Sequence, residues 1–344
     1  MKKYLLIVFH IIFISACTSI SDDTIEEKYI QPTEAINFSG ITNFSNQRIN
    51  LNEDNFIFLI PNPSKFENFS TYFQLGVLHA YKDLKISNQI RFLNEDAFTN
   101  SLLNEGFVVG PFKASLVDAI DAQGKNNNLI LMNSSSKNLF IPSSYETQLN
   151  SLNEYLKNKK DKKIAIISND VTNHENAINA DMNLLTFELP IKVKEIRNVL
   201  GVDQSEERYK IIDTASFSSL NFVPRVRSDF NQIIIFPNTE EEIYEIASTI
   251  RFNYGLMYEI TSMTFNLDKS LNENEIALHR VNTFDHAYEN DFGYDLKKSR
   301  SFALGYDAML LAFAKSHQLS GEIRGFNAIY QLSSSEIKAK SYLN

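Results

Sequence analysis

The chain of 344 residues contains a single cysteine and no tryptophan, and it lacks any apolar run long enough to cross a bilayer. One cysteine cannot form an intramolecular disulfide, so this fold is not held together by disulfides. The apolar stretch at residues 4–15 has about a dozen residues, fewer than the ~20 that a spanning helix needs. A disulfide scaffold and a membrane-spanning anchor are therefore both excluded.

Several catalytic signatures are also absent. The sequence contains no G-x-G-x-x-G, no G-x-x-x-x-G-K-[ST] and no G-x-S-x-G, so phosphate cradles and nucleophile elbows have no support. The nearest approach to a metal cluster is His279, Asp285, His286 and Asp291, without an H-E-x-x-H spacing, and it predicts a solvated loop. We expect no enzymatic activity, no catalytic residue, no metal and no cofactor.

The acidic balance limits the possible partners. The formal net charge at pH 7 is −9, from 42 acidic and 33 basic residues. Such a surface lacks the cationic footprint that nucleic acid binding requires. It also provides no attraction to anionic headgroups, so a link to a membrane must be a lipid attached to the chain.

The first residues have the order of a secretory signal. Lys2 and Lys3 form a positive start, residues 4–15 form an apolar core, and small residues lead to Cys17. An ordinary signal peptide with this pattern ends at Ala16, before a cysteine that stays unmodified.

The sequence Ile-Ser-Ala-Cys at residues 14–17 resembles the bacterial lipobox. That resemblance implies a lipoprotein signal peptide at 1–16 and lipidation of Cys17, which becomes the acylated N-terminus. Thr18, in place of an aspartate, implies the outer membrane rather than the inner one. We therefore expect a protein anchored by its lipids to the periplasmic face of the outer membrane.

A polar segment follows the leader. Residues 17–52 are rich in Ser, Asn, Thr, Asp and Glu and show no clean periodicity, which predicts a flexible tether. About 35 residues of flexible coil have a root-mean-square span of roughly 30–35 Å. That length would hold a folded body clear of the lipid headgroups.

Beyond residue 52, short apolar runs alternate with amphipathic helical patterns. Such runs are typical of strands buried on both faces of a parallel sheet. The runs lie at 56–61, 89–93, 107–112, 129–133, 163–168, 185–191, 232–237 and 257–265. Two successive series of βα units predict an α/β protein with two Rossmann-like lobes, each built on a parallel sheet. We expect lobe I to contain residues 53–141 and 255–320, and lobe II to contain residues 142–254 and 321–344.

Four segments have sequence patterns that predict their local structure. Ser64 and Glu67 have the spacing of a capping box, which predicts a helix with Ser64 at its N-cap. Residues 95–105 have a helical pattern before a glycine. Thr239 and the three glutamates after it predict a helix that ends near Phe252. Residues 271–299 are charged and irregular, which predicts a long loop and a candidate contact surface.

The carboxyl ends of the strands give the candidate ligand site. Ligands of open α/β sheets bind there, which places a crevice near Asn62, Gly110, Asn133, Asn169 and Asn238. Hydroxyl, amide and backbone groups could hold a carboxylate or amide of a small molecule. The candidate ligand-binding residues are Asn62, Ser64, Asn133, Ser134, Ser135 and Asn169. Ordinary turn and cap chemistry favours the same residue types, and it is the alternative interpretation.

Four phrases point to a known family. They are FVVGPFKASLVDAI at 107–120, NLILMNSSS at 128–136, SFALGYDAMLLA at 301–312 and IRGFNAIYQLSSSEIKAK at 323–340. With the lipobox, they resemble the LppC-type lipoproteins, the penicillin-binding protein activators, over roughly residues 54–342. The resemblance implies the periplasmic-binding-protein type 1, or Venus-flytrap, architecture.

The chain departs from that family in three respects. It has a tether where larger members have a long helical-repeat region, it has no tryptophan, and Phe326-Asn327-Ala328 replaces the usual Thr-Gly step. The resemblance implies a protein without catalysis that stimulates a peptidoglycan synthase, a class A penicillin-binding protein, by direct contact. The alternative is a solute-binding lipoprotein that captures an amino acid or similar small molecule between the lobes. No amino-acid clamp is recognisable in the sequence.

Overall fold

The computed structural model describes residues 55–159, 163–178, 183–189, 191–216, 221–287 and 295–343. The predicted signal peptide, Cys17 and the tether at 17–52 lie outside these residues. Among the helices that are described, none is both long enough and apolar enough to cross a bilayer.

The first sheet has four parallel strands in the order β2-β1-β3-β4. They are β1 (Asn55–Ile60), β2 (Ile90–Asn94), β3 (Gly106–Val109) and β4 (Leu129–Ile130). Strand β1 is buried because its side chains alternate between two covered faces. Ile57 and Leu59 enter one core, while the ring of Phe58 packs on Phe73 at a centroid distance of 6.3 Å.

Three helices belong to this first lobe, and they are α1 (Glu67–Asp83), α2 (Ala114–Gln123) and α9 (Leu296–Ser316). Val117 and Ile120 of α2 pack in the same core as Ile57. Helices α1 and α9 touch through glycines. A Cβ atom on Gly76 would lie 2.0 Å from the Phe302 carbonyl oxygen, so only a hydrogen side chain fits.

The second sheet has six strands in the order β13-β9-β8-β7-β5-β6. They are β5 (Lys163–Ser168), β6 (Asn183–Glu188), β7 (Gln232–Phe236), β8 (Glu259–Met263), β9 (Val281–Asp285) and β13 (Tyr342–Leu343). All pair in parallel except β13, which runs antiparallel to β9 at the edge. Both faces are covered, since alternate residues of β5 and β7 enter two separate cores.

The helices around this sheet are α3 (Ser144–Lys157), α4 (Val171–Ala177), α5 (Val193–Leu200), α6 (Val202–Ala215), α7 (Glu240–Phe252) and α8 (Glu273–His279). Helix α7 begins as the sequence predicts. The Thr239 side chain accepts a hydrogen bond from the Glu242 amide, and three glutamates occupy the first turn at the positive end of the helix dipole. The predicted end near Phe252 is also confirmed.

A small antiparallel sheet follows α9. Its strands, in spatial order, are β10 (Gly321–Arg324), β11 (Ile329–Leu332) and β12 (Ile337–Lys340). The connection between β10 and β11 wraps around the buried carboxylate of Asp307 in α9. This is how the chain builds the turn at 326–328 without the Thr-Gly step.

The expected position of residues 255–320 needs a correction. Only helix α9 of that segment packs in the first lobe, while β8 and β9 extend the second sheet. The physical reason is that β8 pairs in parallel with β7 and places Ile260 in the second core. The chain therefore returns to the first lobe near residue 296, not near residue 255.

Two local predictions at helix starts are wrong. Helix α1 begins at Glu67 without a side-chain cap, because Asn62 binds the Ser64 amide and the chain turns before the helix. Residues 95–105 form two short 3₁₀ turns rather than one helix. Thr99 is extended between these turns, which prevents a continuous helix.

The prediction of a long loop at 271–299 is wrong in part. Helix α8 starts at an N-cap, Asn272, whose side chain accepts from the Asn274 amide, and β9 follows it directly. The apolar signal is weak because β9 is short and its buried apolar residues, Val281 and Phe284, enter two different cores.

Candidate functional site

The residues after β1 form a hydrogen-bonded turn. The Asn62 side-chain oxygen accepts from the Ser64 amide at 2.9 Å, and the Asn62 carbonyl accepts from the Lys65 and Phe66 amides, each at 3.0 Å. The Asn62 oxygens are thus used within the turn, and Ser64 is exposed beside them. This is the turn chemistry that the alternative interpretation describes.

The serine-rich loop after β4 is organised by Asp121 of α2. The Asp121 carboxylate accepts hydrogen bonds from the Ser135 hydroxyl, from the amide and hydroxyl of Ser136, and from the Asn138 side chain, at 2.7–3.1 Å. Burial by itself raises the pKa of Asp121, but these donors outweigh it and the pKa lies below its usual value. The carboxylate is therefore ionised and holds the loop closed.

Asn133 and Ser134 complete this loop. The Asn133 side-chain nitrogen donates to the Phe112 carbonyl at 2.9 Å, and its oxygen accepts from the Ser134 amide at 2.8 Å. The structure thus places the predicted residues of lobe I after the carboxyl ends of β1 and β4. It also shows that Asn133 and Ser135 have their polar atoms engaged within the protein.

Glu95 is a site residue that the sequence did not reveal. Its buried carboxylate accepts from the Phe112 amide at 2.8 Å and from the Lys113 amide at 3.0 Å, at the start of α2. These amides are the donors that a helix N-terminus offers to an anion. They lie 17 and 18 residues away in sequence, so no local pattern could have identified Glu95.

Aromatic rings fill the space beside Glu95. The Phe112 ring meets the Phe69 ring edge to face at 5.1 Å and the Phe73 ring at 5.5 Å between centroids. Such edge-to-face pairs add about 0.5–1.5 kcal/mol to the burial of the rings. The start of α2, after the carboxyl end of β3, is therefore occupied by the protein's own acid and its own aromatic side chains.

The carboxyl edge of the second sheet has a polar rim. The Asn169 side chain, after β5, donates to the Asn238 side-chain oxygen, after β7, at 2.8 Å. Both residues are exposed. The two asparagines thus lie together at the strand ends, and this exposed amide pair is accessible from solvent.

A buried histidine lies beneath this rim. His174 of α4 shares a 2.6 Å hydrogen bond with the Ser168 hydroxyl, and its ring stacks on Phe236 at 4.0 Å. Burial lowers the pKa of His174 against the opposing charge of Asp170. The histidine is thus neutral at pH 7 and belongs to an aromatic wall that includes Phe265.

Arg300 joins the start of α9 to the ends of β8 and β9. Its guanidinium donates to the carbonyls of Thr264, Phe265 and Leu267 and contacts the Asp285 carboxylate at 3.2 Å. Arg300 lies near the start of α9, and its partners follow or end strands of the second sheet. The contact therefore fixes how α9 leaves the second sheet.

Asp285 makes this junction sensitive to acid. Burial raises the pKa of Asp285, but the Arg300 charge and hydrogen bonds from His286 hold the pKa well below its usual range. Because the folded-state pKa is depressed, the stabilisation is present above the unfolded pKa of about 3.9 and is lost as the pH falls below it.

We expect Asp285→Asn to lower the free energy of unfolding by about 2 kcal/mol at pH 7, because charged hydrogen bonds are lost. The difference from wild type should narrow as the pH falls below about 4. Urea unfolding at pH 7 and at pH 3 measures both values. If the variant and wild type differ in free energy of unfolding by the same amount at both pH values, the stabilising role of the ionised Asp285 carboxylate is contradicted.

The residues of the weak metal signal are held in separate pairs. The His286 ring nitrogen Nδ1 and an Asp285 carboxylate oxygen lie 2.6 Å apart, while the His279 ring contacts Glu275. Asp291 lies outside the described residues. Within the described part of the chain, no group of three or more His, Cys, Asp or Glu side chains is arranged to hold a metal ion.

The fold class is defined by two parallel sheets between which the chain passes more than once. No protein-family model and no curated protein sequence matches the chain. Its structure matches a putative branched-chain amino acid ABC transporter from Chromobacterium violaceum with a TM-score of 0.58 and 10% identity, over 85% of this chain and 99% of that one. The chain thus has the periplasmic-binding-protein type 1 fold, as predicted.

The structure also matches LpoA of Haemophilus influenzae. For full-length LpoA the TM-score is 0.59 at 13% identity, over 85% of this chain but only 57% of that one. For the LpoA C-domain, described as a regulator of PBP1A, the TM-score is 0.58 at 14% identity, over 84% of this chain and 96% of the domain. The resemblance expected from the sequence is therefore present in the fold.

Proposed function

We propose that this chain is a lipid-anchored periplasmic protein of the outer membrane that stimulates a peptidoglycan synthase by direct contact. The partner would be a class A penicillin-binding protein, and the chain would supply no catalytic group. The likeness in fold to the C-domain of LpoA supports this proposal. The fold itself is also compatible with solute binding, so the choice depends on the carboxyl edges of the sheets.

The observation that carries the proposal is the occupied start of α2 at the carboxyl edge of the first sheet. Free amide donors at a helix start are a ready-made site for the carboxylate of a solute. In this chain Glu95 already accepts from the Phe112 and Lys113 amides, and Phe112 packs on Phe69 beside them. This arrangement favours a protein that acts through its outer surface over one that captures a solute in its cleft.

The second candidate function is capture of an amino acid or similar small molecule. Two observations favour it, namely the likeness to a putative branched-chain amino acid transporter and the exposed pair Asn169 and Asn238. A ligand at 100 times its Kd would add about 2.7 kcal/mol to the stability of the folded protein. Thermal unfolding with a panel of amino acids is expected to show no shift, and a clear shift would favour this second function.

Binding to the synthase is the direct test of the first proposal. The full chain, purified in detergent and immobilised, is expected to bind a purified class A penicillin-binding protein from the same organism with a saturable signal. An immobilised solute-binding protein of the same fold is the control and should give no signal. Absence of saturable binding to the chain would contradict the proposal.

Lipid anchoring has its own test. We expect Cys17→Ala to abolish acylation and to release the protein from the outer membrane, because the lipids would be carried by that cysteine. The folded body should be unchanged, with the same thermal midpoint as wild type. Labelling with a radioactive fatty acid, followed by membrane fractionation, measures the effect. Label that persists in the variant would rule out Cys17 as the acylated residue.

A further inference from the structure

Five large apolar side chains are exposed around two adjacent turns of the second lobe. They are Phe252, Tyr254, Leu256, Met257 and Leu278, and we call them the turn patch. Phe252 is 85% exposed, and Leu256 and Leu278 are each 70% exposed. Scattered single apolar residues on a surface need no explanation, whereas large contiguous apolar patches mark interaction sites.

The turns that carry the patch are rigid. The Arg251 guanidinium donates to the carbonyls of Gly255 and Tyr258 at 2.7 Å each, and to those of His279 and Arg280 at 2.8 and 3.2 Å. One side chain therefore ties the turn after α7 to the turn after α8. The apolar side chains are displayed on an ordered frame, which reduces the entropy lost on binding.

The space beneath the patch is tightly packed. A Cβ atom on Gly255 would lie 2.5 Å from a methyl carbon of Ile250 and 2.6 Å from the Ile250 carbonyl oxygen. Tyr258 and Asn253 are both buried, and the Asn253 side chain donates to the Thr249 carbonyl at 2.8 Å. The patch cannot sink into the core, so its side chains stay available to a partner.

Two arginines, Arg251 and Arg280, lie beside the patch although the whole chain has a net charge of −9, and the nearby Glu275 carboxylate lies 3.4 Å from the His279 ring nitrogen. All four hydrogen-bond partners of the Arg251 side chain are carbonyl groups, which leaves its charge uncompensated. Arg280 is exposed and has no carboxylate partner among the residues that the structure describes. A partner with acidic groups around an apolar centre would complement this surface.

We propose that the turn patch is the docking surface for a protein segment whose apolar side chains are flanked by carboxylates. This proposal rests on the proposed function, and the segment would then belong to the class A penicillin-binding protein. A few well-packed side chains near the centre of an interface, aromatic ones and arginine above all, carry most of its binding energy. Phe252 and Leu256 would be the central anchors, and Arg280 would guide the approach.

Two other occupants fit the charges less well. A second copy of this chain would bring two positive rims together in a symmetric interface, because the same surface meets itself. An anionic bilayer would attract Arg280, but it would repel a chain with a net charge of −9. An acidic protein segment meets neither objection.

Paired variants test the docking surface. We expect Phe252→Ser with Leu256→Ser to weaken binding of the full chain to the synthase at least about ten-fold, since two anchors are lost. The matched control is Ile211→Ser with Ile212→Ser, which removes two apolar side chains of α6 that are 71% and 56% exposed. The control should bind within about two-fold of wild type, because surface changes away from an interface cost little.

A second pair of variants tests the charge. Arg280→Glu is expected to weaken binding about ten-fold and to remove its dependence on salt, while Arg208→Glu on α6 should change neither. All these positions are exposed, so the variants should unfold at the wild-type temperature. Binding is measured by surface plasmon resonance at two salt concentrations.

The outcomes separate the docking surface from the function. If wild type binds and the patch variants bind equally well, the docking surface is wrong and the proposed function stands. If wild type does not bind the synthase, both are wrong. Loss of binding to vesicles of anionic phospholipid, or loss of a dimer in sedimentation, with synthase binding retained, would assign the patch to a bilayer or to a second copy. Either result would overturn the proposal.

Discussion

Asparagine in place of Asp307 is expected to lower the free energy of unfolding by about 1–3 kcal/mol, because at least one buried donor is left without an acceptor. Asp307 is fully buried in α9. Its carboxylate accepts from the amides of Phe326 at 2.6 Å, Asn327 at 2.7 Å and Ala328 at 3.2 Å, and from the Tyr330 hydroxyl at 3.0 Å. An asparagine nitrogen would oppose at least one of these donors.

Burial raises the pKa of Asp307 to about 7, although the four donors act to lower it. The donors therefore stabilise a charge that the core opposes, and no neutral amide can satisfy all of them. A Cβ atom on Gly325 would lie 2.2 Å from a carboxylate oxygen of Asp307, so the backbone approaches as closely as glycine allows. The Asp307→Asn variant therefore cannot compensate by moving the backbone at Gly325 closer to residue 307.

Urea unfolding followed by circular dichroism measures the change. The control is Asp118→Asn, which alters an exposed residue of α2 and should stay within about 0.5 kcal/mol of wild type. If Asp307→Asn loses less than about 1 kcal/mol, the amides at 326–328 do not depend on the carboxylate.

Alanine at Gly305 is expected to destabilise the protein by roughly 3 kcal/mol, which is the upper range for an overpacked core. A Cβ atom there would lie 2.0 Å from the Phe73 carbonyl oxygen, so α9 and α1 would have to separate. The same change in an uncrowded helix would stabilise by about 0.5–1 kcal/mol, because alanine restricts the unfolded chain. Whether Gly305→Ala lowers or raises the free energy of unfolding therefore shows directly whether α9 and α1 are in contact there.

A double-mutant cycle strengthens this prediction. Gly76→Ala should have a similar effect, since its Cβ atom would lie 2.0 Å from the Phe302 carbonyl oxygen across the same contact. The double variant should lose less stability than the two single variants lose together, because one separation of the helices relieves both clashes. Thr71→Ala on the exposed face of α1 is the control. Stabilisation by Gly305→Ala would show that the helices are not in contact there.

Elements whose signals are local could be predicted from the sequence. The run at 232–237 became β7 because continuous apolar residues suit a strand covered on both faces. Helix α7 followed from its threonine cap and its acidic first turn. Two successive series of such units were enough to predict two parallel sheets.

The errors lie where distant contacts override local patterns. Residues 95–105 have a helical pattern, but Glu95 turns toward amides 17 and 18 residues away and Thr99 is extended. The segment 255–320 was assigned to one lobe because no local feature says which sheet a strand will join. Strands β8 and β9 joined the second sheet by pairing with β7 and with each other.

Part of the candidate site could likewise be predicted from local patterns, and part depends on distant contacts. The position of Asn169 beside Asn238 follows from the rule that strand ends share an edge. The occupation of the α2 start by Glu95 could not be predicted, and it is what argues against solute capture. The turn patch was also missed, because exposure of single apolar residues cannot be determined from their identity.

The most direct test of the central claim is the rate of glycan polymerisation by a purified class A penicillin-binding protein from the same organism. The rate should be measured with increasing amounts of the full chain in detergent. We expect the rate to rise and to saturate at the concentration that saturates binding, while the Phe252→Ser and Leu256→Ser double variant has no effect at the same concentrations. An unchanged rate when all of the synthase is bound to the wild-type chain would contradict stimulation by direct contact.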